Sequence, residues 1–310
     1  MKTHRFNPDT FHTTLGQHPP ALRIAPGDSV VMQTLDAIGV DRAGARRGER
    51  PNPQSGPIWV EGAQPGDALE VTIVRLTPTR RTGWTASPLA ANVVEPERAA
   101  SFPERRTTEW TIDPEAGTVR LLDPPAALRD MALPIEPMIG CLGVAPAGGE
   151  AISTATSGRH GGNMDWRGFR PGATVWFPVA VPGALFCAGD GHARQGDGEI
   201  AGTGIEVSME MELRFALRPG WTIGWPRGTT AEGELFTVGN ARPLDQALQH
   251  ATGEMLDWLH ADYGLDAIAA SHLMGQTVRY DIGNVYNPAY TVVCRMEVAR
   301  VMGDGAEACR

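Results

Sequence analysis

The chain has 310 residues, 42% hydrophobic and 20% charged, enough to bury a proper core as one large domain or two small ones. Its 37 glycines and 25 prolines, a fifth of the chain, exclude a helical bundle and predict many short strands joined by tight turns. Net charge is −9, with 36 acids against 27 bases, which excludes a non-specific nucleic-acid or anionic-membrane footprint.

In chain order, residues 28–35 (DSVVMQTL) follow a Pro-Gly turn and read as a strand ending at Asp36. Residues 56–61 lie between turn signals, and 68–76 alternate, with Leu69, Val71 and Ile73 on one face. Residues 107–112 and 118–122 flank DPEAG as a hairpin, and the polar, Pro/Arg-rich stretch 77–106 reads as a surface excursion. Strands are predicted again at 174–181 and 205–217, the latter alternating Val207, Met209, Met211 and Leu213 with Ser208, Glu210, Glu212 and Arg214. Leu244, Leu248, Met255, Leu256 and Leu259 recur at helical spacing, a short helix is expected over 266–273, and strands follow at 277–280 and 290–301. The expected organisation is a β-rich body (1–235) with a small α/β part (236–310) packed on it as one unit.

Several chemistries are absent. Lys2 is the sole lysine, so Ser–Lys amide hydrolysis, a Cys–Glu–Lys site, a Schiff base and a standard P-loop are excluded. Cys141, Cys187, Cys294 and Cys309 form no C-x-x-C pair and read as buried thiols. There is no H-E-x-x-H and no G-x-S-x-G. Gly196–Ala201 matches a loose dinucleotide fingerprint, but Asp197 and Glu199 would face the pyrophosphate. The N-terminus has no apolar signal core, and the most apolar stretch, 173–188, is broken by prolines, so a soluble cytoplasmic protein is expected. His4, His12 and His18 read as surface residues, and His250, His260 and His272 as helix surface or its neighbour.

The chemistry concentrates between residues 156 and 204, where 12 glycines fall in 49 residues, about twice the chain's mean density. His160, Asn163 and Asp165 lie in HGGNMD, and Asp190, His192, Gln195, Asp197 and Glu199 in GDGHARQGDGE. In extended chain Asp190 and His192 point to one side, so they can ligate one ion. Imidazole with carboxylates suits zinc or a similar divalent metal. The alternative is a solvated, turn-rich loop; two His-plus-carboxylate segments in one glycine-dense region favour the metal. Trp166 and Trp176 wall a pocket or pack in the core.

The ordered segments Pro137-Met-Ile-Gly-Cys-Leu-Gly-Val-Ala-Pro146, His160-Gly-Gly-Asn-Met-Asp165, Val181-Pro-Gly-Ala-Leu-Phe186, Gly189-Asp-Gly-His-Ala193, Gln195-Gly-Asp-Gly-Glu199 and Gly202-Thr-Gly-Ile-Glu206 resemble the acetamidase/formamidase family. Gly27-Asp-Ser-Val-Val31, Thr34-Leu-Asp-Ala37, Asn52-Pro-Gln-Ser-Gly-Pro57 and Tyr286-Asn-Pro288 fit the same resemblance, which covers most of the chain. Arg159, Cys187 and the 77–106 stretch depart from it. The resemblance implies a mainly β fold, a jelly-roll-like β-sandwich with a smaller β-barrel and an α/β part, in a homo-oligomer (dimer or tetramer). It implies hydrolysis of short primary amides by metal-activated water, the metal held by Asp36, His160, Asp165, Asp190 and His192. The metal expected is Zn²⁺, with Ca²⁺ as a second ion; Glu150, between the first two of these segments, and Glu199 are further candidate carboxylates. Glu199 or Asp197 would act as base and Asn163 as an oxyanion donor. The competing expectations are a larger amide or carbamate as substrate, and a metal-stabilised β-sandwich that binds a ligand without catalysis.

Overall fold

A computed structural model describes residues 1–297. Cys309 and the end of the strand expected over 290–301 lie outside the described residues. Among the described residues most of the regular structure is strand, as the glycine and proline content predicts, and no helix is long and apolar enough to cross a membrane.

Two large sheets form the body. The nine-stranded sheet runs, in spatial order, Thr3–Phe6, Ser29–Gln33, Met209–Arg218, Ala68–Pro78, Thr174–Pro178, Arg227–Thr229, Leu235–Ala241, Tyr290–Met296 and Arg279–Asn284. Its centre is the antiparallel pair of the two longest alternating strands, with Phe215 opposite Val71 and Leu213 opposite Ile73. All four side chains are fully buried, because period-two alternation puts every second residue on the inner face. The facing seven-stranded sheet contains Met138–Gly143, Gly161–Asn163, Phe186–His192 and Gln54–Val60 at its middle. Its Ile58, Ile139, Leu142 and Phe186 join Val30, Met32, Val71 and Phe215 in one core, and Phe186 meets Phe215 edge to face across the gap, centroids 5.3 Å apart.

The helix Leu244–Tyr263 buries Ala247, Ala251, Met255, Trp258 and Leu259, in a cluster with Leu235, Val292, Cys294 and Met296 from the adjoining strands. It ends where Gly264 turns left-handed at φ 66°, and Ala267–Thr277 follows with Asp266 as its side-chain cap. The expected division at 235/236 falls at the first residue of Leu235–Ala241, a strand inside the nine-stranded sheet. The C-terminal part therefore continues the body's sheet.

Two local expectations change. The 77–106 stretch stays at the surface, as expected, but is structured: Thr82–Ser87 pairs with Arg106–Asp113, and Pro96–Ala100 is a short helix. Strand pairing draws it in; it contributes Trp84 and Arg105 to the cavity described below and Arg80 to an ion pair with Asp36. His12 and His18 are half-buried and stacked, centroids 4.0 Å apart, because the Phe11–His12 strand joins the seven-stranded sheet. Trp166 packs on Phe169 and Phe236, and Trp176 on Trp221 and Trp258, so both belong to the core. Cys141, Cys187 and Cys294 are buried free thiols; burial pushes Cys187 up to about 12 and Cys294 to about 11, which keeps them unreactive.

Candidate functional site

Phe186–His192 lies between Met138–Gly143 and Gln54–Val60, and its end delivers Asp190 and His192 to one buried spot. The pairing with Met138–Gly143 runs from Ile139–Gly191 to Cys141–Gly189 and skips the Gly140–Asp190 position, where Asp190 turns left-handed at φ 59°. A Cβ at Gly140 would sit 2.4 Å from Asp165 Oδ1 and 2.8 Å from Asp190 Oδ2, so glycine is what lets the two carboxylates converge. Gly204 makes similar room: its Cβ would lie 2.4 Å from His192 Nδ1. The bridge between His192 and Glu206 brings in a further carboxylate, and Glu199 completes the group.

Two overlapping sets result, Asp165/Asp190/His192 and His192/Glu199/Glu206, and within each set the ligand atoms lie within 4.8 Å of one another. All five side chains are buried. His192 Nε2 stands 3.0 Å from Glu206 Oε1 and 3.4 Å from Asp190 Oδ1. Gln195 sets the imidazole tautomer. Its amide nitrogen donates to the carbonyl of Asp165, so its Oε1 accepts from His192 Nδ1–H at 2.9 Å. Nε2 then faces two carboxylates, and its lone pair is free for a metal ion once the ring gives up its proton. Asp165 Oδ1, Glu206 Oε2 and His192 Nε2 are buried without a hydrogen-bond partner. A divalent cation bound by oxygen and imidazole donors supplies what these atoms lack, so the residues fit such an ion.

The electrostatics agree. Burial, with Glu199 and Asp190 as neighbours, raises Asp165 well above the carboxylate range. Burial lifts Glu199 to about 8 against the pull of His192, and Glu206 likewise. Burial disfavours charge on His192, but Glu206 and Asp190 outweigh it and hold its pKa well above the usual value. Strain marks the same place. Of the six non-glycine residues with positive φ among the described residues, Asn52, Asp165, Asp190 and Glu199 are four.

Amides brace the carboxylates. Asn52 Nδ2 donates to Asp190 Oδ2 and to Asn163 Oδ1, both at 2.8 Å, and Asn287 Nδ2 donates to Asp165 Oδ2 at 2.6 Å. Asn284 donates to the carbonyls of Asn163 and Met164, which fixes the turn before Asp165. A cavity of about 590 Å³ opens onto Asn163, Asp190, Glu199 and Glu206, with Trp84 and Tyr286 on its walls.

Among the sequence-predicted residues, Asp165, Asp190, His192 and Glu199 come together, and Asn163 lines the same cavity. The other three stand apart. Asp36 is fully buried but lies outside both sets: Arg80 takes its Oδ2, and the amides of Ile38 and Val40 donate to its Oδ1. Asp197 is exposed beside Arg167, 3.7 Å away, on another cavity. His160 is buried on a separate pocket with Ser157 and Ile152, and burial alone lowers it to about 4. Glu150 lines that pocket too. Glu206 was missed as a member of this group because it is in phase with Ser208, Glu210 and Glu212, the outward face of the expected strand. That strand begins only at Met209.

Residues 147–243 match the model of the Acetamidase/Formamidase family. The chain is 27% identical over 242 residues to an acetamidase of Mycolicibacterium smegmatis, covering 61% of this chain and 58% of that protein. It is 28% identical over 210 residues to a formamidase of Methylophilus methylotrophus, covering 53% of this chain and 51% of that one. These alignments thus span little more than half the length of either relative. The crystal structure of a predicted acetamidase/formamidase from the thermophile Thermoanaerobacter tengcongensis superposes with a TM-score of 0.83 at 30% identity, over 96% of this chain and 95% of that one. At that identity over nearly the whole of both chains, the chain belongs to the acetamidase/formamidase family.

Proposed function

We propose that the protein is a metal-dependent hydrolase of linear primary amides, converting formamide- or acetamide-type substrates to a carboxylate and ammonia. The observation that carries this is the buried group of four carboxylates around one imidazole, open to a cavity on the Glu199 side. A Zn²⁺-type ion, when bound, lowers the pKa of water toward 7 and polarises a carbonyl. Asp165, Asp190 and His192 would hold it, with Glu206 beside them; one His192 Nε2 can serve one ion, so a second ion such as Ca²⁺ would rest on carboxylates alone.

The protein's own groups do the rest. Glu199, rather than exposed Asp197, is the base: it is buried beside the carboxylate–imidazole group and lines the cavity, placed to take a proton from water and return it to the leaving nitrogen. Because Asn163 Oδ1 is occupied by Asn52, its amide N–H groups remain to donate to the carbonyl oxygen as negative charge develops. Water adds to the carbonyl carbon, the proton passes to nitrogen, the C–N bond breaks, and acid and ammonia leave.

The test is ammonia release from formamide, acetamide and propionamide before and after chelation, with elemental analysis of the same sample. Release that stops on chelation and returns with Zn²⁺ supports the reading. Undiminished release after verified metal removal overturns it. A purely structural ion would instead appear as a large fall in Tm on chelation with no turnover from any amide before it.

A further inference from the structure

Formamide and acetamide leave most of this cavity to water. At about 590 Å³ it has room for roughly 20 waters at ~30 Å³ each, and acetamide, with four non-hydrogen atoms, displaces only a few of them. Volumes of this order suit ligands several times larger. The lining is also polarised. Its floor carries Asp190, Glu199 and Glu206, whereas Arg50, Arg105 and Arg106 border the same cavity, all three exposed.

None of these arginines has a carboxylate partner among the described residues. Arg105 is pre-positioned: its guanidinium donates to the carbonyls of Pro88 and Ala201 and lies over the Tyr286 ring, 5.4 Å from the centroid. Neither Arg50 nor Arg106 is held by another side chain among the described residues. Arg50 precedes the Pro51–Asn52 turn that braces Asp190, and Arg106 opens the strand Arg106–Asp113 opposite Ser87. In a chain of net charge −9, three unpaired guanidinium groups around an acid-floored cavity form a local cationic collar. Such a collar attracts anions and pairs well with carboxylates.

We infer that the substrate is a linear primary amide whose far end carries a carboxylate, the half-amide of a dicarboxylic acid, with its amide at the carboxylate–imidazole floor and its anionic end among Arg50, Arg105 and Arg106. This rests on the amidohydrolase reading above. The reaction is half-amide plus water giving dicarboxylate plus ammonia; the charged end takes no part in bond making and serves only to hold the substrate.

The test compares succinamate with butyramide, which share chain length and differ in the terminal carboxylate, on the metal-loaded wild type and on Arg50→Ala, Arg106→Ala and the double variant. Both positions are exposed, so the fold tolerates the changes. Expected is a kcat/KM for succinamate at least tenfold above that for butyramide, expressed in KM and shrinking as salt rises. In the double variant the ratio should fall about tenfold, with Arg106→Lys retaining part of it. Equal use of the two amides, or a ratio unmoved by the double variant, overturns the inference and leaves the amidohydrolase reading standing. No ammonia from any amide overturns both.

Discussion

Two buried acidic sites in this molecule solve opposite problems. Under the helix Leu244–Tyr263, Glu254 has a cation of its own: Arg227 lies 3.3 Å away, sandwiched between Trp221 and Trp258 at 4.2 and 4.6 Å, and the amides of Gly224 and Trp225 donate to the same carboxylate. Even so, burial wins over Arg227 and lifts Glu254 to about 7, and it lowers Arg227 as well. One arginine and two amides thus barely balance one buried carboxylate. At the other site Asp165, Asp190, Glu199 and Glu206 share the single imidazole of His192. Four carboxylates around one imidazole are short of positive charge, and that deficit is the physical reason to read the group as a cation site.

The comparison can be broken most sharply at His192. His192→Ala removes the only nitrogen ligand shared by both sets and should lower amide turnover at least 100-fold, with loss of bound metal, whereas Arg227→Ala should leave turnover per folded molecule intact. Arg227→Ala should instead cost about 3–5 kcal/mol of stability in chemical denaturation, because Glu254 is left buried and unpaired. A smaller effect tests the brace: Gln195→Ala frees the His192 tautomer and should weaken metal affinity about 10–100-fold in a zinc titration. In the chelated protein the two sites should respond with opposite sign. Asp165→Asn removes an ionisable group whose charged form burial, Glu199 and Asp190 disfavour, and should stabilise by about 1 kcal/mol or less, on the order of 2 °C in Tm. The smallest effect is pH-dependent. Glu254 has an ordinary pKa near 4.5 and is raised to about 7 in the fold. The stability it contributes is therefore complete below about 4.5 and is lost as pH rises through about 7. Glu254→Gln should remove that part of the slope, and an unchanged slope would contradict the assignment.

Much of this was legible in the sequence, for identifiable reasons. The Met209–Arg218 and Ala68–Pro78 strands could be read because alternation is a local signal, and Asp190 with His192 because residues two apart on a strand share a face. Glu206 was not legible, since it sits in phase with outward-facing glutamates and is turned inward only by its bridges to Trp84 and His192. Nor were the roles of Asn52 and Asn287, which approach Asp190 and Asp165 across 138 and 122 residues of chain. The same long-range pairing hides Arg80, which ion-pairs with Asp36 outside both groups.

The most direct measurement is the divalent-metal content of the purified protein, with calorimetric titration of Zn²⁺ into chelated wild type and into His192→Ala. At least one ion per wild-type chain, lost on chelation, regained in the titration and absent from the variant, is the predicted result. A wild type that binds no divalent metal yet hydrolyses amides, or a His192→Ala variant that binds it as tightly as wild type, would contradict the account.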